Sequence, residues 1–190
     1  MKVIHISGSP RKQSNSRNIG EQFTARAEER GAEISTYILN KMDIKGCQGC
    51  YACKKGKERC IVKDDLAPVL DGIYETDIIV ISTPVYFWDL PGQLKCFIDR
   101  FYSYAKEDWQ TNPKPSRLPS GKKVVFIQTQ GAGEDMHDEI FGKYDAIFKM
   151  FAGFEECFPI RGFEVSGYNN VEDIPILNKA AKSLADKLIT

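Results

Sequence analysis

Short apolar runs alternate along the chain with segments whose apolar residues recur every three or four positions. The apolar runs predict buried strands, and they lie at Lys2–Ser7, Glu33–Leu39, Asp77–Thr83, Lys122–Gln130 and Phe154–Phe163. The periodic segments predict amphipathic helices, and they lie at Ser16–Arg30, Asp65–Glu75, Leu90–Ala105, Glu134–Met150 and Asp173–Ile189. Strands that alternate with helices in this way indicate right-handed β-α-β units and an α/β fold with a parallel sheet.

No repeat, low-complexity tract or long linker divides the 190 residues. We therefore expect residues 1–190 to form a single domain, because this length is typical of one domain. The alternation is interrupted once, after the second strand, where the pattern predicts a cysteine-rich loop insertion at about residues 43–64.

The charge balance narrows the possible partners. Lys and Arg together number 26, and so do Asp and Glu, so the net charge is zero. This argues against nucleic-acid binding, which usually requires a basic face. The first residues lack the long apolar core of a signal peptide, and no segment approaches the roughly 18 apolar residues that cross a bilayer. We therefore expect a cytoplasmic protein with no membrane partner, in which clustered cysteines indicate metal or redox chemistry more often than disulfides.

Three loops follow the first, third and fourth strands, and they should meet at the carboxyl edge of the sheet, where such folds bind ligands. The first loop matches neither the dinucleotide nor the nucleoside-triphosphate fingerprint. Its polar side chains, one cation and the backbone N–H groups of a helix start suit one terminal phosphate. The candidate phosphate ligands are Ser9, Arg11, Ser14, Asn15 and Ser16. A polar turn that only caps the helix is the alternative.

The other two loops suit a flat ligand. Tyr86, Phe87 and Trp88 are consecutive and cannot all face one core, so at least one should be exposed as binding surface. Packing against a neighbouring loop or subunit is the alternative for one or two of them. Gly131 and Gly133, after the fourth strand, allow the backbone to approach a planar ring closely. A phosphate site beside a planar site fits the shape of FMN.

The segments "GSPRKQSNS" and "STPVYFWDLPGQLKCFIDR" resemble the NAD(P)H-dependent FMN reductases of flavodoxin-like fold. The resemblance implies a doubly wound five-stranded parallel sheet of order 2-1-3-4-5 with helices on both faces. It also implies non-covalent FMN, NAD(P)H as electron donor, and a phosphate site at Ser9, Arg11, Asn15 and Ser16. The residues that it places beside the flavin ring are Pro84, Val85, Tyr86, Phe87, Trp88, Thr129, Gly131 and Ala132.

Four of the six cysteines lie within fourteen residues, with the spacing C-x2-C-x2-C-x6-C, at Cys47, Cys50, Cys53 and Cys60. Three close cysteines and a more distant fourth are typical of a chain that wraps a cubane iron–sulfur cluster. Zinc more often takes two C-x2-C pairs across a longer loop, and reactive thiols without a metal are a further alternative. The resembled family contains iron–sulfur flavoproteins with a compact four-cysteine motif after strand two, which implies that these cysteines bind a 4Fe–4S cluster.

We therefore predict an FMN-dependent oxidoreductase that moves electrons from NAD(P)H or an electron carrier to a small-molecule or protein acceptor. No side chain is assigned a catalytic role, because the flavin itself reacts. A flavodoxin-like electron carrier and a thiol- or metal-sensing module are the alternatives. The aromatic residues of "YFWDL" and "FYSYAKEDW" exceed what one small domain easily buries, so we expect a homodimer or homotetramer.

Overall fold

The computed structural model describes residues 1–165 and 174–190. Within them lies one five-stranded sheet in the order β2-β1-β3-β4-β5, and every neighbouring pair is parallel. The strands are β1 (Lys2–Ser7), β2 (Glu33–Ile38), β3 (Ile78–Pro84), β4 (Lys123–Thr129) and β5 (Glu156–Gly162). The predicted flavodoxin-like sheet and its strand order are confirmed.

Helices cover both faces of the sheet. They are α1 (Asn15–Glu29), α2 (Leu66–Gly72), α3 (Gly92–Asp99), α4 (Asp138–Ile147) and α5 (Ile174–Leu188). Apolar residues of α2, α3 and α4 pack with Ile79 and Ile81 of β3, whereas those of α1 and α5 pack with Ile78 and Val80 of the same strand. Successive residues of a strand point to opposite faces, so a strand covered on both sides is apolar throughout, which is why the apolar runs predicted the strands.

Three predicted helices differ from the observed ones at their ends. α2 ends at Gly72, before the predicted end at Glu75, and a 3₁₀ turn covers Ile73–Glu75. α3 ends at Asp99, and the chain continues as a tighter 3₁₀ turn over Arg100–Tyr104. α4 begins at Asp138 because His137 adopts a left-handed conformation (φ 65°) that breaks the helix there. The predicted start of α5, at Asp173, lies outside the described residues. Among the helices that the structure describes, none combines the length and apolar character needed to span a membrane.

A histidine and a serine form a hydrogen-bonded pair inside the sheet. The Nε2 atom of His5 lies 2.8 Å from the Oγ atom of Ser82, and both side chains are fully buried. Gly20 of α1 makes room for the ring, since a Cβ atom there would lie 2.4 Å from Nε2. Burial, aided by the nearby charge of Arg17, lowers the pKa of His5 to about 4. The imidazole is therefore neutral at neutral pH.

Candidate functional site

The loop after β1 is shaped by its own polar groups. Ser14 has an extended backbone, and its Oγ atom accepts a hydrogen bond from the backbone N–H of Arg17 at 3.2 Å, so α1 begins at Asn15. The guanidinium of Arg17 donates to the carbonyl oxygens of Arg11, at 3.2 Å, and Lys12. These contacts hold the loop over the first turn of α1. The first N–H groups of a helix have no partner within it and favour an anion.

The loops after β1, β3 and β4 enclose a cavity of about 190 Å³, called here the strand-end cavity. The described residues that line it are Ser9, Arg11, Ser14, Asn15, Ser16, Pro84, Val85, Tyr86, Thr129, Gln130, Gly131 and Val165. The hydroxyl oxygens of Ser14 and Ser16 lie 3.2 Å apart, and the backbone N–H of Val85 donates to the carbonyl of Thr129 at 2.8 Å. Hydroxyl groups and a cation therefore meet the start of α1 at one end, and paired strand ends form the other wall.

The structure brings together most of the residues predicted to bind a cofactor. Of those predictions, all within the described part of the chain, only Phe87, Trp88 and Ala132 do not line the strand-end cavity, and neither does Gly133, which was expected beside the ring. Gln130 and Val165 line it and were not predicted. Gln130 is buried, and its amide donates to the carbonyls of Gly133 and Met136 at 2.8 and 2.7 Å. The polar ending "QTQ" of an otherwise apolar strand was a usable signal for Gln130, whereas a single valine beyond β5 gave none.

Phe87 and Trp88 occupy a strained turn, called here the aromatic turn (Tyr86–Asp89). The backbone of Tyr86 donates to the carbonyl of Asp89 at 2.8 Å and accepts in return at 3.1 Å. Between them Phe87 and Trp88 have positive φ values of 44° and 63°, a geometry that usually requires Asn or Gly. An L-residue there costs about 1–2 kcal/mol. Phe87 and Trp88 are also exposed, at 92% and 64%. Strained backbone of this kind persists only where the surrounding structure holds it, and it is often found at functional segments.

Asp89 fastens the aromatic turn to α4. One carboxylate oxygen accepts from the hydroxyl of Tyr144 at 2.8 Å, and the other accepts from the Nζ atom of Lys143 at 2.7 Å. Partial burial raises the pKa of Asp89, but the hydrogen bonds from Lys143 and Tyr144 outweigh that effect and hold the pKa below its usual value. The ionised carboxylate of Asp89 thus holds the strained backbone of the two aromatic residues in place.

The four clustered cysteines line a second cavity, of about 220 Å³, called here the cysteine cavity. Gly49 and Tyr51 turn the loop through positive φ values of 60° and 55°, and a 3₁₀ turn follows at Ala52–Lys54. The Nζ atom of Lys54 donates to the carbonyl of Tyr102 at 2.6 Å, which fixes the loop to the turn after α3. All six cysteines of the chain are free thiols. The structure thus brings Cys47, Cys50, Cys53 and Cys60 to one place.

The donor set fits an iron–sulfur cluster, whose usual ligands are four cysteine thiolates. Burial raises the pKa of Cys53; Lys54 opposes this shift, and the other three clustered cysteines add to it. Cys53 is therefore close enough to the other three thiols to interact with them electrostatically. Among the described residues, no three Cys, His, Asp or Glu side chains are arranged closely enough to hold a metal ion. Binding would thus require the loop to draw the four sulfur atoms closer together.

Comparison with known proteins places these features in a family. The sequence family described as NADPH-dependent FMN reductase matches residues 1–147. An iron–sulfur flavoprotein of Methanocaldococcus jannaschii is 33% identical over 72% of this chain and 66% of its own length. One of Archaeoglobus fulgidus is 26% identical over 99% of this chain and 79% of its own length.

The fold has close structural counterparts as well. The NAD(P)H:quinone oxidoreductase of Methanothermobacter marburgensis superimposes with a TM-score of 0.75 at 18% identity, covering 100% of this chain and 98% of that one. The chain spans less than two thirds of the length of the M. jannaschii relative and about half the length of two further iron–sulfur flavoproteins. The family match extends over more than three quarters of the residues, and the chain therefore belongs to the NADPH-dependent FMN reductase family.

Proposed function

We propose that this protein is an FMN-dependent oxidoreductase, with FMN in the strand-end cavity and a 4Fe–4S cluster in the cysteine cavity. The observation that carries the proposal is the strand-end cavity itself, which joins a phosphate-type loop to paired strand ends at the carboxyl edge of a parallel sheet. The four thiols around one cavity and the relatives named iron–sulfur flavoproteins support the cluster. The homodimer or homotetramer and the cytoplasmic location stay predictions.

Different residues of the strand-end cavity suit the phosphate and the ring of FMN. The hydroxyls of Ser9, Ser14 and Ser16, the guanidinium of Arg11 and the start of α1 suit a phosphate. No fingerprint for a pyrophosphate is present in the first loop, which favours FMN over FAD. The ends of β3 and β4 provide a wall that orients a planar ring and excludes water from one side.

The reaction follows from what the two cofactors supply when bound. FMN accepts a hydride and releases its electrons singly or in pairs, and a 4Fe–4S cluster transfers single electrons. The protein positions the ring and admits donor and acceptor. Extraction of FMN from the purified chain, together with NAD(P)H-dependent reduction of a quinone or an electron carrier, tests the proposal directly. Bound FAD, or failure to bind any flavin on reconstitution, would contradict it.

Replacing Arg11 by alanine is expected to weaken FMN binding by roughly 10- to 150-fold, because a charge-assisted phosphate contact contributes about 1.5–3 kcal/mol. Fluorescence titration of the apoprotein with FMN measures the change. Lys12→Ala is the matched control, since Lys12 is a neighbouring exposed cation that does not line the strand-end cavity. Equal losses in the two variants would show that general surface charge, and not the contact of Arg11, holds the phosphate.

We further propose that the aromatic turn contacts the electron acceptor. Phe87 and Trp88 directly follow Tyr86, which lines the strand-end cavity, and their rings meet edge to face at 5.3 Å. Exposed rings beside a flavin site suit a planar acceptor such as a quinone, because aromatic pairs contribute about 0.5–1.5 kcal/mol beyond their buried area. This interaction explains why the strain of the turn is tolerated.

The double substitution Phe87→Asn, Trp88→Gly separates these two effects. It should raise the free energy of unfolding, because Asn and Gly suit positive φ values, and raise the KM for a naphthoquinone by roughly 2- to 10-fold. The matched control is ferricyanide, a non-aromatic acceptor whose KM should stay unchanged. Denaturant unfolding and steady-state kinetics measure the two quantities. An unchanged KM for the quinone would show that the rings do not contact the acceptor.

A further inference from the structure

A buried arginine joins the cysteine-rich loop at residues 43–64, called here the cysteine loop, to the end of α3. Arg100 is the residue immediately after α3, and only 1% of its surface is exposed. Its Nε atom donates to the Sγ atom of Cys60 at 3.0 Å. Nη1 donates to the carbonyl of Lys45 at 3.0 Å and to a carboxylate oxygen of Asp64 at 2.8 Å, and Nη2 donates to the carbonyl of Val62 at 3.1 Å. A guanidinium has five N–H donors, and the four hydrogen bonds above direct four of them at this one loop.

The charge of Arg100 is neutralised within the same loop. The side chains of Arg100 and Asp64 form an ion pair in which neither is exposed. The carboxylate oxygen of Asp64 that meets Arg100 also accepts from the backbone N–H of Lys45 at 2.8 Å. Burying such a pair gains little net stability, because desolvation offsets the attraction. The pair instead orients the N–H groups of Arg100, since the planar guanidinium fixes the angles of its hydrogen bonds.

We propose that Arg100 is a positioning residue for Cys60 and that its Nε–H raises the reduction potential of the iron–sulfur cluster. The inference rests on the proposed function, because it requires the cluster. A hydrogen bond to a ligand sulfur stabilises the more negative, reduced form, so it shifts the potential upward. Asp64 cancels the net charge of the guanidinium, so the hydrogen bond to sulfur is the effect that remains.

Two variants separate the hydrogen bond from the charge. The double variant Arg100→Gln, Asp64→Asn removes the Nε–H and leaves no unpaired buried charge. Asp64→Asn alone keeps the Nε–H, and the amide oxygen can still accept from Arg100. If the double variant does not fold, Arg100→Lys serves, because it keeps a charge opposite Asp64 while losing the donor to Cys60.

The potential of the cluster is measured by redox titration of the anaerobically reconstituted holoprotein, followed by electron paramagnetic resonance. The double variant should shift the one-electron equilibrium about tenfold toward the oxidised cluster, which is ~59 mV to more negative potential. Arg100→Lys should shift it in the same direction, and Asp64→Asn should not lower it. The midpoint of the bound FMN is the internal reference. If Arg100 had a purely structural role, its loss would reduce the fraction of protein that holds a cluster, but the cluster potential would not shift relative to that of FMN.

A second measurement works without the cluster. In the metal-free full-length protein, loss of Arg100 should increase the rate at which iodoacetamide alkylates Cys60, relative to the exposed Cys50. Peptide mass spectrometry gives both rates. Unchanged potential in a cluster-bearing variant, or unchanged alkylation of Cys60, overturns the role of Arg100. A wild-type chain that accepts no iron and sulfide overturns the proposed cluster instead, while the alkylation result still decides whether Arg100 positions Cys60.

Discussion

Replacing Cys53 by alanine is expected to abolish the iron–sulfur absorbance of the protein and to leave its FMN bound. Cys53 lines the cysteine cavity with the other three clustered cysteines, and a cubane cluster requires four ligands, so about four irons and four sulfides per chain should be lost. Within the described residues, the lining of the strand-end cavity contains no part of the cysteine loop. Iron and sulfide analysis beside the visible spectrum of anaerobically prepared protein measures both outcomes.

The control for this prediction is Cys96→Ala. Cys96 lies on α3, close to Gly46, where an added Cβ atom would be 3.4 Å from its Sγ atom, but it does not line the cysteine cavity. The variant should keep both the cluster and FMN. Two results would contradict the proposed ligands: a Cys53→Ala protein that still holds four irons, or a wild-type protein whose anaerobic reconstitution yields flavin absorbance alone.

Lowering the pH from above 6.5 to 4 is expected to reduce the free energy of unfolding by roughly 3 kcal/mol through His5 alone. The folded pKa of about 4 lies below the ordinary value of 6.5, so in this range the unfolded chain binds the proton that the folded chain excludes. The stabilisation is therefore complete above pH 6.5 and is lost as the pH falls toward 4.

Denaturant unfolding of the wild type and of His5→Gln across this range isolates the contribution of the histidine, because other acidic groups act equally in both proteins. The glutamine amide is neutral at every pH and can still bond to Ser82. The free energy of unfolding of the wild type should therefore fall by roughly 3 kcal/mol more than that of the variant as the pH falls to 4. Curves that stay parallel from pH 7 to pH 4 would show that His5 is protonated as readily in the folded protein as in the unfolded chain.

The fold was predictable from sequence because its signals are local. Strands covered on both faces are apolar without interruption. Serine is a residue type that often caps helices, so Ser14 itself indicates the start of α1. That Ser9, Arg11, Ser14, Asn15 and Ser16 line one cavity was predictable in the same way, since they are close together in the chain, whereas their binding of a phosphate stays a prediction. For these segments the local preference and the tertiary structure agree, which is the condition under which sequence patterns are informative.

The features that sequence reasoning missed depend on contacts between distant segments. The left-handed backbone of Phe87 and Trp88 opposes their local preference. It is held because the carboxylate of the adjacent Asp89 accepts hydrogen bonds from side chains of α4. Arg100 lies in a segment that reads as an amphipathic helix, where an arginine predicts an exposed face. It is buried because carbonyl and carboxylate groups 36 to 55 positions earlier in the chain surround its guanidinium. Neither arrangement leaves a periodic signal.

α3 acts as a fixed-length spacer between the two cavities. The aromatic turn precedes its first residue, and Arg100 follows its last. Its eight residues rise about 12 Å, and each residue turns the chain by about 100°. Deleting a single residue would therefore swing the guanidinium about a quarter-turn or more away from Cys60, even though the helix itself could still form. Between Pro91 and Arg100, therefore, the number of residues matters as much as their identity.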